Sequence, residues 1–287
     1  MKASCVFLAG VMMTGMAAGA TTVSMNDLAA YYDYSSSTGS GNGTRITPVI
    51  APDGFQYNPV VDYNKWSATG GYNGGGYVTT STSYYSPSFE KSAGSPLSVS
   101  NGFSISVRVR DIGTSGISIC TSFTGKGIND ASFQISNNTL TTPGFGGWTM
   151  AEGRNSITAH TEANYGDSSS IANTPWQSVV ISVGSSGIMS IYVDGALFAT
   201  SNSAWNRMTS GNNLATLEGV RLGGNGNNVS AATDGQYSEF AVWNKALNPE
   251  EAEWLSGNGI GQLVPEPATA SLGLLGLAAL TLRRRRA

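Results

Sequence analysis

Histidine and cysteine are almost absent from this chain: one histidine, His160, and two cysteines, Cys5 and Cys120, among 287 residues. That scarcity removes whole classes of chemistry. A zinc finger or thiolate cluster needs several Cys and His at short spacing, and two distant cysteines cannot supply them. His160 with Glu162 spells H-T-E, but the cysteine pair of a zinc deaminase is missing, so His160 reads as an ordinary polar residue at a strand end. No H-E-x-x-H and no G-x-S-x-G elbow occurs. The glycine-rich pieces GGYNGGGY (70–77) and GGNGNN (223–228) do not open helices, so they read as turns rather than phosphate cradles.

Charge is scarce as well. The chain carries 15 Lys+Arg against 18 Asp+Glu. Lys2, Glu266 and the arginines Arg283, Arg284, Arg285 and Arg286 fall in the terminal segments, which leaves residues 21–264 with 10 basic and 17 acidic residues, a net charge of −7. A surface for nucleic acid or anionic lipid needs a clustered basic patch, and none is available.

The first twenty residues, MKASCVFLAGVMMTGMAAGA, set Lys2 before an apolar stretch at 6–18 that closes on small residues. This is a secretory signal peptide pattern, with signal peptidase expected to cut after Ala20. Cys120 alone would survive, so no internal disulfide forms, and in GISIC it reads as a small buried hydrophobe.

Long helical periodicities are missing too. Instead, short alternating runs lie between clusters of Gly, Ser, Thr and Asn. GFSISVRVR (102–110) puts Phe103, Ile105, Val107 and Val109 on one face and Ser104, Ser106, Arg108 and Arg110 on the other, which predicts a half-buried strand. Further strands are expected at 116–123, 131–136, 155–160, 176–184, 188–195, 197–201, 217–224 and 235–244. Many strands without alternating helices predict an all-β antiparallel sandwich or jelly roll. One short C-terminal helix is expected after Asn248 as N-cap, with Pro249 in the first position, Glu250 and Glu251 at the positive end, and Gly257 as the stop.

Four motifs then occur in order: WQSVVISV (176–183), GIMSIYVDG (187–195), VRLGG (220–224) and GQYSEFAVWNKALNPEE (235–251). With LAAYYDY (28–34) as a first strand, they resemble the laminin-G-like branch of the concanavalin A-like lectin/glucanase superfamily. The resemblance covers most of 25–257, so the sandwich domain is placed at 21–257, followed by a linker at 258–264. It implies sugar or protein binding by loops or a sheet face, often with structural calcium. The hydrolase branch adds paired carboxylates in an E-x-D-x-E strand motif, because a retaining glycosidase needs two carboxyl groups about 5 Å apart. Glu90, Glu152, Glu162, Glu218 and Glu239 each lack an acidic residue two places on, and Glu251 and Glu253 lie in the expected helix, so no catalytic residues are assigned.

Calcium is the cofactor that the resemblance brings, and the oxygen donors considered for it are Asp33, Asp53, Asp62, Asp234 and Glu239. Where laminin-G-like domains often carry Asp-Glu, this chain has Ser238-Glu239. For sugar stacking, the candidates are Trp66, Tyr72 and Tyr77 around the glycine-rich loop, with Trp148 and Trp205 after turn-like segments. Trp176 and Trp243, inside strand motifs, read as core.

The chain ends LVPEPATASLGLLGLAALTLRRRRA. The apolar run 268–282 has 15 residues, about 22 Å as a helix against a ~30 Å bilayer core. Pro265, Glu266 and Pro267, this short transmembrane segment and the arginine cluster (together 265–287) resemble the PEP-CTERM sorting signal of Gram-negative bacteria. That resemblance implies recognition by an exosortase, an inner-membrane intermediate and delivery to the cell surface or exopolysaccharide. The function expected is a non-catalytic surface module for a glycan or exopolysaccharide. The alternatives are a structural matrix protein and, behind it, a divergent glycoside hydrolase.

Overall fold

The computed structural model describes residues 23–39, 45–51, 55–57, 66–80, 88–91, 97–98, 101–111, 117–123, 133–139, 146–151, 161–162, 176–200, 216–222, 224–225, 228–232 and 235–263. In chain order the strands are β1 (Leu28–Tyr32), β2 (Ser37–Thr38), β3 (Arg45–Ile46), β4 (Phe55–Tyr57), β5 (Trp66–Ser67), β6 (Tyr77–Thr80) and β7 (Ser88–Lys91). Then follow β8 (Leu97–Ser98), β9 (Gly102–Asp111), β10 (Ile117–Phe123), β11 (Phe133–Thr139), β12 (Gly146–Ala151), β13 (Thr161–Glu162) and β14 (Gln177–Gly184). The last are β15 (Met189–Val193), β16 (Ala196–Thr200), β17 (Thr216–Leu222), β18 (Gly224–Asn225), β19 (Asn228–Ala232) and β20 (Gly235–Trp243), and the helix α1 is Pro249–Asn258.

Among the described residues these form two eight-stranded sheets and two short hairpins. The first sheet runs β16-β15-β14-β9-β20-β6-β5, with β1 also on β20; the second runs β13-β12-β11-β10-β17-β7-β4, with β8 also on β17. Every pairing is antiparallel, and β20 shares its free edge between β6 at Gly235–Tyr237 and β1 from Leu28↔Trp243 onward. The expected strand at 155–160 lies outside the described residues.

The inner faces meet as the alternation predicts. Phe103, Ile105, Val107 and Val109 of β9 pack in one cluster with Val179, Ile181 and Val183 of β14, Tyr237, Phe240 and Val242 of β20, and Val220 and Leu222 of the second sheet. Each such side chain contributes about 1.5–3 kcal/mol of hydrophobic stabilisation, and the shared burial holds the two sheets together. The second finding departs from a half-buried strand: Ser104, Ser106 and Arg108, on the other face of β9, are buried too.

The covering layer is the chain after β20. A second cluster joins Val180, Ala241 and Trp243 of the first sheet's outer face to Leu247, Ala252, Leu255 and Ile260. The seryl hydroxyls satisfy its backbone. Ser104 accepts from the Leu247 amide at 2.8 Å and donates to the Lys245 carbonyl, while Ser182 donates to the Leu247 carbonyl. Trp243 Nε1 donates to Ser106 Oγ at 2.8 Å. Polar residues on this face thus replace hydration with protein hydrogen bonds, the condition for burying them.

Helix α1 begins as expected. Asn248 Oδ1 accepts from the Glu251 amide and Glu251 Oε2 from the Asn248 amide, a capping box that also draws Lys245 Nζ to 2.6 Å from Glu251 Oε1. Its end differs. The helix runs through Gly257 to Asn258 and stops at Gly259, whose φ of 78° with ψ of 162° is a backbone conformation that glycine adopts without steric cost. Residues 260–263, expected as linker, form a turn of 3₁₀ helix with Ile260 buried against the outer-face cluster.

Candidate functional site

Register places the outer-face residues in rows across the first sheet. Ser178, Arg108 and Ser238 stand opposite one another on β14, β9 and β20. One step toward the strand ends, Arg110, Gln236 and Thr79 form the next row on β9, β20 and β6, and Trp176 immediately precedes β14 on the same side.

The first row is a sealed polar centre. Between Ser238 and Phe240 the β9–β20 register shifts, so Glu239 is the extra residue of a bulge, held at φ 42°. The bulge returns Phe240 to the core face and leaves Glu239 on the outer face, only 4% exposed. Arg108 Nε stands 3.6 Å from Glu239 Oε2, an oxygen with no hydrogen-bond donor. Glu239 Oε1 accepts from Tyr31 Oη and from the Gly261 amide, each at 3.4 Å. Burial pushes the Glu239 carboxyl above its ordinary pKa, with Arg108 pulling the other way. Burial, with the neighbouring Glu239, also pushes the Tyr31 phenol well up.

Arg108 does more than face Glu239. Its Nη2 donates to the Leu255 carbonyl at 2.6 Å, which also accepts from the Gly259 amide, and to the Ser256 carbonyl at 2.8 Å, so a cation closes the end of α1. Its guanidinium lies 3.8 Å from the centre of the Tyr72 ring. The Tyr72 amide donates to Ser238 Oγ, which donates to the Gly76 carbonyl at 2.7 Å. A Cβ at Gly259 would come within 3.0 Å of both Glu239 Oε2 and Tyr72 Cε1, so only glycine lets the chain cross here.

The second row is open. Arg110, Gln236, Thr79, Tyr77 and Trp176 are all half-buried, with part of each side chain in solvent. Arg110 Nε donates to Gln236 Oε1 at 2.9 Å, its Nη2 donates to the same oxygen, and Gln236 Nε2 donates to Thr79 Oγ1. The Arg110 guanidinium lies 4.6 Å from the centre of the Trp176 ring. The Tyr77 and Trp176 ring centres are 6.3 Å apart at 57°, an aromatic corner above the row.

Of the aromatic candidates, Tyr77 joins this corner. Tyr72 sits beside the sealed row with its ring against Arg108. Trp66 lies on the core side, its Nε1 donating to the Tyr34 carbonyl at 2.9 Å. Trp148 is on β12 of the second sheet, paired with Asn137 and Thr161. Trp205 lies outside the described residues. Trp243 is core, fully buried, but Trp176 is not. Its period-2 relation to Ser178 and Ser182 was the signal that it belongs to the outer, polar face.

Among the described residues no group of three or more His, Cys, Asp or Glu gathers as metal ligands. Asp33 closes its own turn, accepting from the Ser35 amide and hydroxyl, and Glu239 faces a guanidinium. The guanidinium beside Glu239 disfavours a calcium ion at that carboxylate. Asp53, Asp62, Asp234, Ala20, Pro265, Glu266, Pro267 and Arg283 to Arg286 lie outside the described residues. No helix among the described residues is long and apolar enough to cross a membrane.

The family model described as concanavalin A-like lectin/glucanases superfamily matches residues 71–253, and the PEP-CTERM protein-sorting motif matches 263–286. No curated protein matches the chain. Among solved structures it is similar to Trypanosoma rangeli sialidase in complex with sialic acid, with a TM-score of 0.54 and 13% identity over 80% of this chain and 33% of that one. It is similar to the botulinum neurotoxin serotype G binding domain, with a TM-score of 0.50 and 16% identity over 80% of this chain and 50% of that one. The chain thus spans about a third of the sialidase and half of the toxin domain. At these identities the likeness is one of fold.

Proposed function

The chain belongs to the concanavalin A-like lectin/glucanases superfamily, and from that premise we propose that it is an exported, non-catalytic glycan-binding module of the cell surface or extracellular matrix. Its PEP-CTERM motif indicates export to the surface or extracellular space and implies processing by an exosortase. The superfamily holds both enzymes and binding modules, so the binding reading rests on the site.

One observation supports it above the others: the open row in which Tyr77 and Trp176 form an aromatic corner beside Arg110, Gln236 and Thr79. Sugar rings present C–H faces that pack on aromatic side chains, and their hydroxyls need neutral donors and acceptors such as an amide and a hydroxyl. The row offers both on rigid strands, so little is lost in ordering them on binding. Glu239, in the neighbouring row, is buried against Arg108 and is no proton donor to a sugar lying there.

The test is binding of the purified exported chain to a broad immobilised glycan panel, with Tyr77→Ala and Trp176→Ala alongside. Saturable binding that falls at least about tenfold in each variant is expected, the size of a lost aromatic contact plus its buried area. No saturable binding, or profiles unchanged in both variants, would overturn the assignment. Release of reducing sugar from a bound polysaccharide would instead make it a hydrolase.

A further inference from the structure

Resting on the glycan-binding reading of the open row, we propose that Arg110 makes that row selective for a sugar bearing a carboxylate, a hexuronate within a sparsely charged polysaccharide. The first ground is the state of the guanidinium. Nε and Nη2 donate to Gln236 Oε1, which occupies two of five N–H donors. The two hydrogens of Nη1 and the second of Nη2 are left beside the aromatic corner. A guanidinium edge of this kind matches a carboxylate through parallel hydrogen bonds.

The second ground is what Arg110 lacks in an acidic chain. Residues 21–264 hold 17 acidic and 10 basic residues. Among the described residues Lys245 has Asp27 and Glu251, and Arg108 has Glu239, whereas Arg110 has no carboxylate in reach. Its side-chain partner is a neutral amide, itself anchored to Thr79 Oγ1, so the positive charge is held in place without being neutralised. The guanidinium carbon lies over the Trp176 ring at 4.6 Å, so the ring covers one side of it.

The third ground is spacing. The Tyr77 and Trp176 centres at 6.3 Å can engage one pyranose while its ring carboxylate meets Arg110 beside them. The same acidity excludes densely sulfated or phosphorylated polymers, because a net charge of −7 repels a polyanion within a Debye length of about 10 Å at 0.1 M salt. What fits is one carboxylate at a time on an otherwise neutral sugar surface.

The experiment uses the full exported chain and three probes: a xylo-oligosaccharide bearing a single glucuronate, the same oligosaccharide after chemical reduction of that carboxyl group, and a neutral cello-oligosaccharide. Titration calorimetry on wild type should give an affinity for the glucuronate-bearing probe about tenfold above its reduced form, the yield of one charge-assisted contact. That margin should shrink as NaCl rises, and in Arg110→Gln the ratio of the two affinities, both measured on the same variant, should fall to about one. Equal wild-type affinity for acid and reduced probes overturns the inference and needs no variant. So does an Arg110→Gln chain, folded by circular dichroism, that keeps the tenfold margin. Either result with the neutral probes still bound leaves glycan binding standing, whereas loss of every probe and of all binding on the wider panel removes the parent reading.

Discussion

Arg108 and Arg110 lie two residues apart on one strand and project to the same face, yet their surroundings give them opposite roles. Arg108 is 4% exposed; its guanidinium is ion-paired with Glu239 and donates to two carbonyls at the end of α1. Arg110 is half-buried, held by a neutral glutamine and a tryptophan ring. Where the chain after β20 crosses the sheet, a charge becomes an internal fastener. Where that cover stops, the same side chain is available to a ligand. The boundary is one row, because α1 and the turn at Gly259 end above the Arg108 row.

The contrast can be broken from its buried side first. Arg108→Gln leaves Glu239 without its cation and removes a donor from the Leu255 and Ser256 carbonyls, so a loss of about 3–5 kcal/mol is expected in urea unfolding. A loss below about 1 kcal/mol would mean that the sealed row is not a fastener. Next in size is Gly259→Ala, which forces a Cβ against Glu239 and Tyr72 at φ 78°. About 1–3 kcal/mol should be lost, read by the same unfolding curves.

A smaller effect separates burial from ion pairing at Glu239. Its folded pKa is raised, so the neutral form favours the fold. The stability this gives is complete below the ordinary value of 4.5 and is lost as pH rises through the raised value. Glu239→Gln cannot lose a proton. The Tm of this variant should therefore gain on wild type as pH climbs from 4 to 8, and the reverse trend would show that Arg108 outweighs burial. Smallest is Arg110→Gln, which should move stability by less than about 0.5 kcal/mol because the site is already wet. A large loss there would erase the distinction between the rows.

The strands were legible because their alternation has a direct cause: side chains two apart share a face, and a core selects apolar ones. The beginning of α1 was legible for the same local reason, since Asn248, Pro249 and Glu251 carry the capping geometry themselves. Its end was not. Gly257 and Gly259 are equivalent in sequence, and the choice fell on Gly259 because that residue must pass over Glu239 and Tyr72. Tyr77 was found among the candidate aromatics, while Trp176 was taken for core. Its strand motif is apolar, and only the neighbouring serines hinted that its face was polar.

Within one chain, then, local chemistry determined the alternating strands, the helix cap, the Asp194-Gly195 hairpin turn with its positive φ values and the sorting motif at 263–286, since each depends on residues close in sequence. Tertiary structure alone decided which arginine is buried, that Glu239 stands out of register in a bulge, and that Tyr77 meets Trp176 across nearly a hundred residues. Those outcomes depend on how much of the outer face the returning chain covers. Coverage is set by packing between distant segments, so no short stretch of sequence carries it.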